Sequence, residues 1–296
     1  MIKPILTWAC IGMLFACTPS ASTLTTSAPN GQAITQTPRI AEGATFPAET
    51  IKRIVYVNGS RSLKDQLGEL HLLSDGMSAT LILNGKTYTL GKDDDYGGAV
   101  STLGSTGYAY LSPIIASSDH VWMFRFAEKS DASKWSAGYE NVGSFVVGFA
   151  TDPTELAARR GTASYSGTAF AEIFIGPDRD IGDGHFTLTA DFDAASVAGD
   201  IALSDYDSGD GNLFPDIALT LNENGASNLT DGGFSGSSSD MSTALTHATS
   251  RLTQISDQGF EGHFYGPDGV AIGGTFWIEG TVDTDPMVLQ GGFASP

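Results

Sequence analysis

From residue 186 onward the chain alternates apolar and polar side chains, segment after segment, and no other feature constrains its fold so tightly. Phe186, Leu188, Ala190 and Phe192 fall on one side of an extended chain, while Thr187, Thr189 and Asp191 fall on the other. The pattern returns at Val197, Gly199, Ile201 and Leu203, at Ile217, Leu219 and Leu221, and at Phe260, Gly262 and Phe264. It ends with Ile272, Gly274, Phe276 and Ile278, then Met287, Leu289, Gly291 and Phe293. A period of two gives each segment a core face and a solvent face, as in an antiparallel sheet. With residues 161–175 and a weaker segment near Phe234, the reading predicts an eight-stranded antiparallel β-barrel filled by its own side chains. The outward residues are Thr, Ser and Asp, so the barrel is expected to be soluble; a membrane barrel would turn its apolar side chains outward.

The preceding region, 48–143, is also β-rich, and the whole reads as an all-β chain. Residues 51–57 are apolar and β-branched and end at Asn58-Gly59; residues 80–90, TLILNGKTYTL, place Asn84-Gly85 between two alternating arms. Asn-Gly suits a two-residue hairpin turn, which needs positive φ at both central positions. Further strands are expected at 107–111 and 120–127. The spacing of Leu63, Leu67, Leu70 and His71 predicts one amphipathic helix over 62–73. This small module is rich in aromatic residues.

Ahead of it, a short apolar run after the lone Lys3 ends in Leu14, Phe15, Ala16, Cys17 and Thr18, the pattern of a bacterial lipobox. There the cysteine thiol is acylated and its amine becomes the new N-terminus. The run is too short for the ~20 residues of a spanning helix. Residues 1–16 are therefore expected to be a lipoprotein signal peptide and Cys17 the lipidated residue; a plain secretory peptide cleaved near Ala21 and a short membrane anchor are the alternatives. Thr18 in place of aspartate favours the outer membrane. Residues 17–47, rich in Ser, Thr, Ala and Pro without a period, are expected to be a flexible tether. The chain carries 15 Lys+Arg against 34 Asp+Glu, a net charge of -19, which repels phosphate backbones and argues against nucleic acid as a partner. Loss of the signal would remove Cys10 and leave no second thiol for a disulfide.

Motifs for chemistry are sparse. Asp178, Asp180 and Asp183 stand in DRDIGDG and Asp205, Asp207 and Asp210 in DYDSGDG, a repeated pattern that could gather oxygens for calcium. The order of ligand and glycine is reversed from an EF-hand loop, so solvated acidic hairpin loops are the preferred reading, as they are for Asp93-Asp94-Asp95. None of His71, His120, His185, His247 and His263 has metal-ligand spacing, and no metal is expected. His120, with Tyr108 or Tyr110 nearby, is the one candidate for a haem ligand. The sequence contains no nucleophile elbow, phosphate loop or dinucleotide fingerprint, and no catalytic residue is expected.

Four segments, in order, resemble the C-terminal barrel of the transferrin-binding protein B family of lipoproteins. They are 145–167, FVVGFATDPTELAARRGTASYSG; 185–201, HFTLTADFDAASVAGDI; 259–280, GFEGHFYGPDGVAIGGTFWIEG; and 291–295, GGFAS. The resemblance covers residues 144–296 and implies a transferrin-binding-protein-like barrel there, with 48–143 as a handle-like N-terminal module. It implies a surface lipoprotein that captures an iron protein, a haem carrier or a complement factor, often beside an outer-membrane transporter. Residues 50–143 match no transferrin-binding or complement-binding sequence of the family.

The resulting expectation is a non-enzymatic, lipid-anchored outer-membrane protein that captures a macromolecular or iron-bearing ligand. Haem binding through His120 and a purely structural surface role are the alternatives. Interfaces favour Trp, Tyr and Arg as anchors, so Tyr96, Tyr108, Tyr110, Trp122, Arg125 and Trp135 are the expected contact residues.

Overall fold

The computed structural model describes side chains for residues 120–128, 141–204, 216–230, 232–245 and 251–295, and for Ile54, residues 61–65, Thr80, Ile82, Thr87 and Tyr88. In the remaining strands it describes the backbone. Met1–Thr37 form one compact unit and Pro38–Pro296 another. In the first, β1 (Thr26–Ser27) pairs antiparallel with β2 (Ala33–Ile34). Cys17 lies outside the described residues.

The second unit is built from two sheets. Strands β3 (Thr45–Val57), β4 (Ser60–Leu72), β5 (Ala79–Leu83), β6 (Lys86–Lys92), β7 (Val100–Gly104), β8 (Gly107–Ile115), β9 (Val121–Lys129) and β10 (Asn141–Gly148) run up and down and close into a barrel, β10 against β3. After the short helix α1 (Pro153–Ala158) come β11 (Thr162–Ile175), β12 (Asp178–Asp191), β13 (Ser196–Asp205), β14 (Asp216–Leu221), β15 (Leu229–Thr230), β16 (Gly233–Gly236), β17 (Met241–Thr246), β18 (Leu252–Tyr265), β19 (Ala271–Val282) and β20 (Asp285–Ala294). These ten form one antiparallel sheet, in the order β15-β16-β18-β19-β20-β11-β12-β13-β14-β17, curled into a half-barrel. The chain is all-β as expected, with α1 the only α-helix among the described residues.

Four expectations are corrected in detail. The helix expected over 62–73 is strand β4. Val57 pairs with Ser60 across the two-residue Asn58-Gly59 connection, and a hairpin that tight lays the following residues back along β3, whatever their helical spacing. The closed eight-stranded ring is the first module, not the second. The second has ten strands because the weak segment near Phe234 is three short strands, β15, β16 and β17, separated by turns. Strand β3 begins at Thr45, inside the segment 17–47 expected to be a tether, and passes Pro47 through a register shift, where a missing N–H costs the ladder nothing. Finally, Asp178, Asp180 and Asp183 lie in strand β12 rather than in a loop, because the turn is the two-residue Gly176-Pro177, with Gly176 at φ 57°. The alternation of a strand turns Asp183 away from the face shared by Asp178 and Asp180. Among the described residues no group of three or more His, Cys, Asp or Glu side chains is placed to hold a metal ion. Asp93-Asp94-Asp95, Asp207, Asp210 and His247 lie outside the described residues.

The half-barrel has its own core. Phe186, Phe234, Phe260, Phe264, Phe276 and Phe293 meet inside it with Leu188, Ile201, Leu219, Ile272, Ile278 and Leu289. These are the core-facing positions of the alternation in the sequence. One end is covered by α1 and by the Gly266-Pro267-Asp268-Gly269 turn. Arg159 donates to the carbonyls of Asp268 and Gly269 and stacks 4.4 Å over the Phe192 ring, and the Tyr165 hydroxyl donates to Gly269 O at 2.8 Å. Burial pushes the Tyr165 phenol above its ordinary range, with Arg159 opposing.

Where the curl brings β17 towards β18, a glutamine side chain joins them. The Gln258 Nε2 donates to Met241 O at 2.6 Å, and Thr243 Oγ1 donates to Gln258 Oε1 at 2.8 Å. The β16–β17 turn at this seam is held by Asp240, whose Oδ2 accepts from the Ser237 amide at 2.9 Å and the Ser237 hydroxyl at 3.0 Å. These bonds favour the carboxylate and hold its pKa below the ordinary aspartate value. A depressed folded pKa gives a contribution that is full above the unfolded value and is lost as pH falls through the folded one. An NMR titration is therefore expected to place the Asp240 midpoint below that of an unfolded aspartate, and Asp240→Asn to remove this part of the acid sensitivity.

Candidate functional site: the joint between barrel and half-barrel

The closed barrel sits on the outer face of the half-barrel, with β9 and β10 against β11, β19 and β20. This contact explains β20, in which every residue from Met287 to Ala294 is buried. Met287, Leu289 and Phe293 face the half-barrel core, whereas Val288 and Ala294 belong to clusters shared with the closed barrel. One shared cluster packs Val121, Met123 and Val146 on Phe170, Tyr265, Ala271 and Ala294. The other packs Ile54, Ala127 and Val142 on Phe174 and Val288. Glycine permits the close approach: a Cβ on Gly273 would come within 2.8 Å of Val146 Cγ1, and one on Gly292 within 2.9 Å of Met123 Sδ.

Between the two apolar clusters lies a polar layer. Glu172 on β11 is 0% exposed. Its Oε1 accepts from Arg125 Nε of the closed barrel. Arg179 on the neighbouring β12 donates from Nε to Oε2 at 3.0 Å and from Nη2 to Oε1 at 3.1 Å. Burying a carboxylate is costly unless it is paired and hydrogen-bonded, and here two guanidinium groups do both. Arg61 lies 4.1 Å over the Phe174 ring and donates to Gly176 O at 3.1 Å. Gln290 on β20, also 0% exposed, treats β10 as a neighbouring strand. Its Oε1 accepts from Ser144 N at 2.5 Å and its Nε2 donates to Ser144 O at 2.8 Å, the two bonds that a ladder residue would make.

The residues expected at an exposed contact surface divide three ways. Trp122 is 5% exposed and packs edge-to-face on Phe149, ring centroids 5.6 Å apart. Arg125 is held in the joint by Glu172. Both are therefore taken up by packing within this unit, because an aromatic or arginine suits a buried intramolecular contact as well as an external one. Tyr108 and Tyr110 are in β8, with side chains outside the described residues; Tyr96 and Trp135 lie outside them altogether. Tyr108 pairs with Lys129, the last residue of β9, so Tyr108 stands at the barrel end from which the β9–β10 connection, containing Trp135, departs.

His120 precedes β9, where its carbonyl accepts from Phe149 N at 3.0 Å. Its imidazole packs on Gly266, which has φ 74° and whose Cβ, if present, would be 2.7 Å from His120 Cγ. His263, on the outer side of β18, is exposed to solvent, and partial desolvation by its neighbours lowers its pKa, with Glu261 opposing. Sequence reasoning missed Glu172, Arg179, Ser144 and Gln290. The available signal was a charge or amide inside an apolar strand, FAEIFI at 170–175 and MVLQGGF at 287–293.

No family model and no curated protein matches the sequence. Solved structures do. The intact Ap-TbpB, with N and C lobes, aligns over 90% of this chain and 47% of its own at 15% identity, TM-score 0.51. The fold resembles that of transferrin-binding protein B. A double mutant of that protein from Haemophilus parasuis Hp5, a vaccine antigen, aligns over 82% of this chain and 44% of its own, at 14% identity and TM-score 0.50. The chain thus spans about half the length of the structures it matches. Among the described residues, no helix is long and apolar enough to cross a membrane.

Proposed function

We propose that the protein is a lipid-anchored surface protein of an outer membrane that captures a macromolecular or iron-bearing ligand without catalysis. The observation that carries this reading is the likeness of fold to transferrin-binding protein B, which by its name binds transferrin. The lipobox at residues 14–18 supports the anchor. Tyr108, which stands at one end of the closed barrel, and Trp135, in the sequence between β9 and β10, are the leading contact residues; Tyr96 and Tyr110 are secondary ones. An outer-membrane transporter is a candidate neighbour.

Two measurements test this. Metabolic labelling with a fatty acid is expected to mark the native chain and not Cys17→Ser, since no other thiol remains after signal removal; label in both, or in neither, would sink the anchor. Separately, the purified chain is titrated with iron-loaded transferrin and with haemin. Saturable binding that Trp135→Ala or Tyr108→Ala weakens by more than about 1 kcal/mol supports capture at that end. A stoichiometric Soret band lost in His120→Ala would instead favour haem binding. Failure to bind either probe would turn the reading towards a structural surface lipoprotein.

A further inference from the structure

The joint between closed barrel and half-barrel has the same three layers on four strands. On β11 the order is Phe170, Glu172, Phe174; on β9 it is Met123, Arg125, Ala127; on β10 it is Val146, Ser144, Val142. On β20, Gln290 lies between Ala294 and Val288. Across the joint Arg125 meets Glu172, and Gln290 meets the backbone amide and carbonyl of Ser144, whose own hydroxyl is buried without a hydrogen-bond partner.

We propose that this layer is a register key, which holds the closed barrel at a single position on the half-barrel so that the two modules move as one rigid body. The apolar clusters supply adhesion, but apolar contact is non-directional and tolerates sliding. Slippage by the smallest step that keeps side chains on the same face, two residues or about 6.8 Å, would bring Arg125 onto a phenyl ring. It would also separate Gln290 from the Ser144 backbone and leave buried amide groups unmet. The charge on Glu172 does not require the closed barrel, because Arg179 from its own sheet already reaches both carboxylate oxygens. What Arg125 adds is position. Buried ion pairs contribute little net stability against apolar replacements, and selection of one register is their better-attested effect.

The test is amide hydrogen exchange on the full chain, comparing native protein with R125M and with R125M/E172M/R179M. The expected result is exchange of the Ser144 amide faster by about tenfold or more, while amides of the β18–β19 ladder keep their native rates. An unchanged Ser144 rate in a folded variant overturns the proposal. A uniform rise at all amides also overturns it, since the layer would then be an ordinary stabilising contact. Should the triple variant fail to fold, R125M, which leaves Glu172 paired with Arg179, decides alone.

Discussion

Replacing Phe293 by alanine is expected to lower the free energy of unfolding by about 3–5 kcal/mol, the range for truncating a fully buried phenylalanine. The ring is 0% exposed and lies 5.1 Å from Phe186, 6.4 Å from Phe234 and 6.5 Å from Phe276, centroid to centroid. Its cross-strand neighbours are Ala169 on β11 and Gly274 on β19, so the ring spreads over two small residues. Neither can grow into the space left behind, and the surrounding rings belong to three other strands whose ladders fix them. The cavity therefore persists and the loss falls towards the upper part of the range. Urea unfolding measures it, with Val270→Ala as a control. Val270 is 43% exposed, and a change there is expected to stay within about 0.5 kcal/mol. A loss at Phe293 no larger than at Val270 would mean that the six phenylalanines do not form the core.

The core phenylalanines were legible in the sequence because the half-barrel strands turn one face to water, and alternation survives wherever only one face is buried. Phe186, Leu188 and Ala190 are buried while Thr187 and Thr189 are exposed. On β11 and β20 the same reasoning reaches only one face. The alternation placed Met287, Leu289 and Phe293 correctly in the core, but these strands are covered on both faces, and it assigned no partner to their other face, which carries Phe170, Phe174, Val288 and Ala294. The joint was therefore invisible, and Trp122 and Arg125 were assigned to an external surface. On the other side of the joint, β4 shows a second limit. Its leucines have helical spacing, but the Asn-Gly turn that begins it was legible, and hairpin geometry outranks a weak periodicity. Glycine at 273 is what lets β19 meet the closed barrel at Val146.

Glu172→Ala is expected to cost about 3 kcal/mol, the low end of the range for removing one member of a buried ion pair. Removal leaves Arg125 and Arg179 facing each other across the joint without their shared carboxylate, and like charges in a low-dielectric layer repel. Their side chains are 18% and 31% exposed, so water reaches both in part and keeps the loss from the upper end. The decisive form of the experiment is a double-mutant cycle by urea unfolding with Arg125→Ala. In the native chain Arg125→Ala breaks a charge-assisted hydrogen bond to a buried carboxylate. In the Glu172→Ala background the same change relieves repulsion from Arg179, so it should cost less there and could be favourable. A coupling of about 1–3 kcal/mol is expected for groups in direct contact. Strict additivity would mean that Arg125 and Glu172, though adjacent, do not interact energetically, and that the apolar clusters alone hold the barrel to the half-barrel.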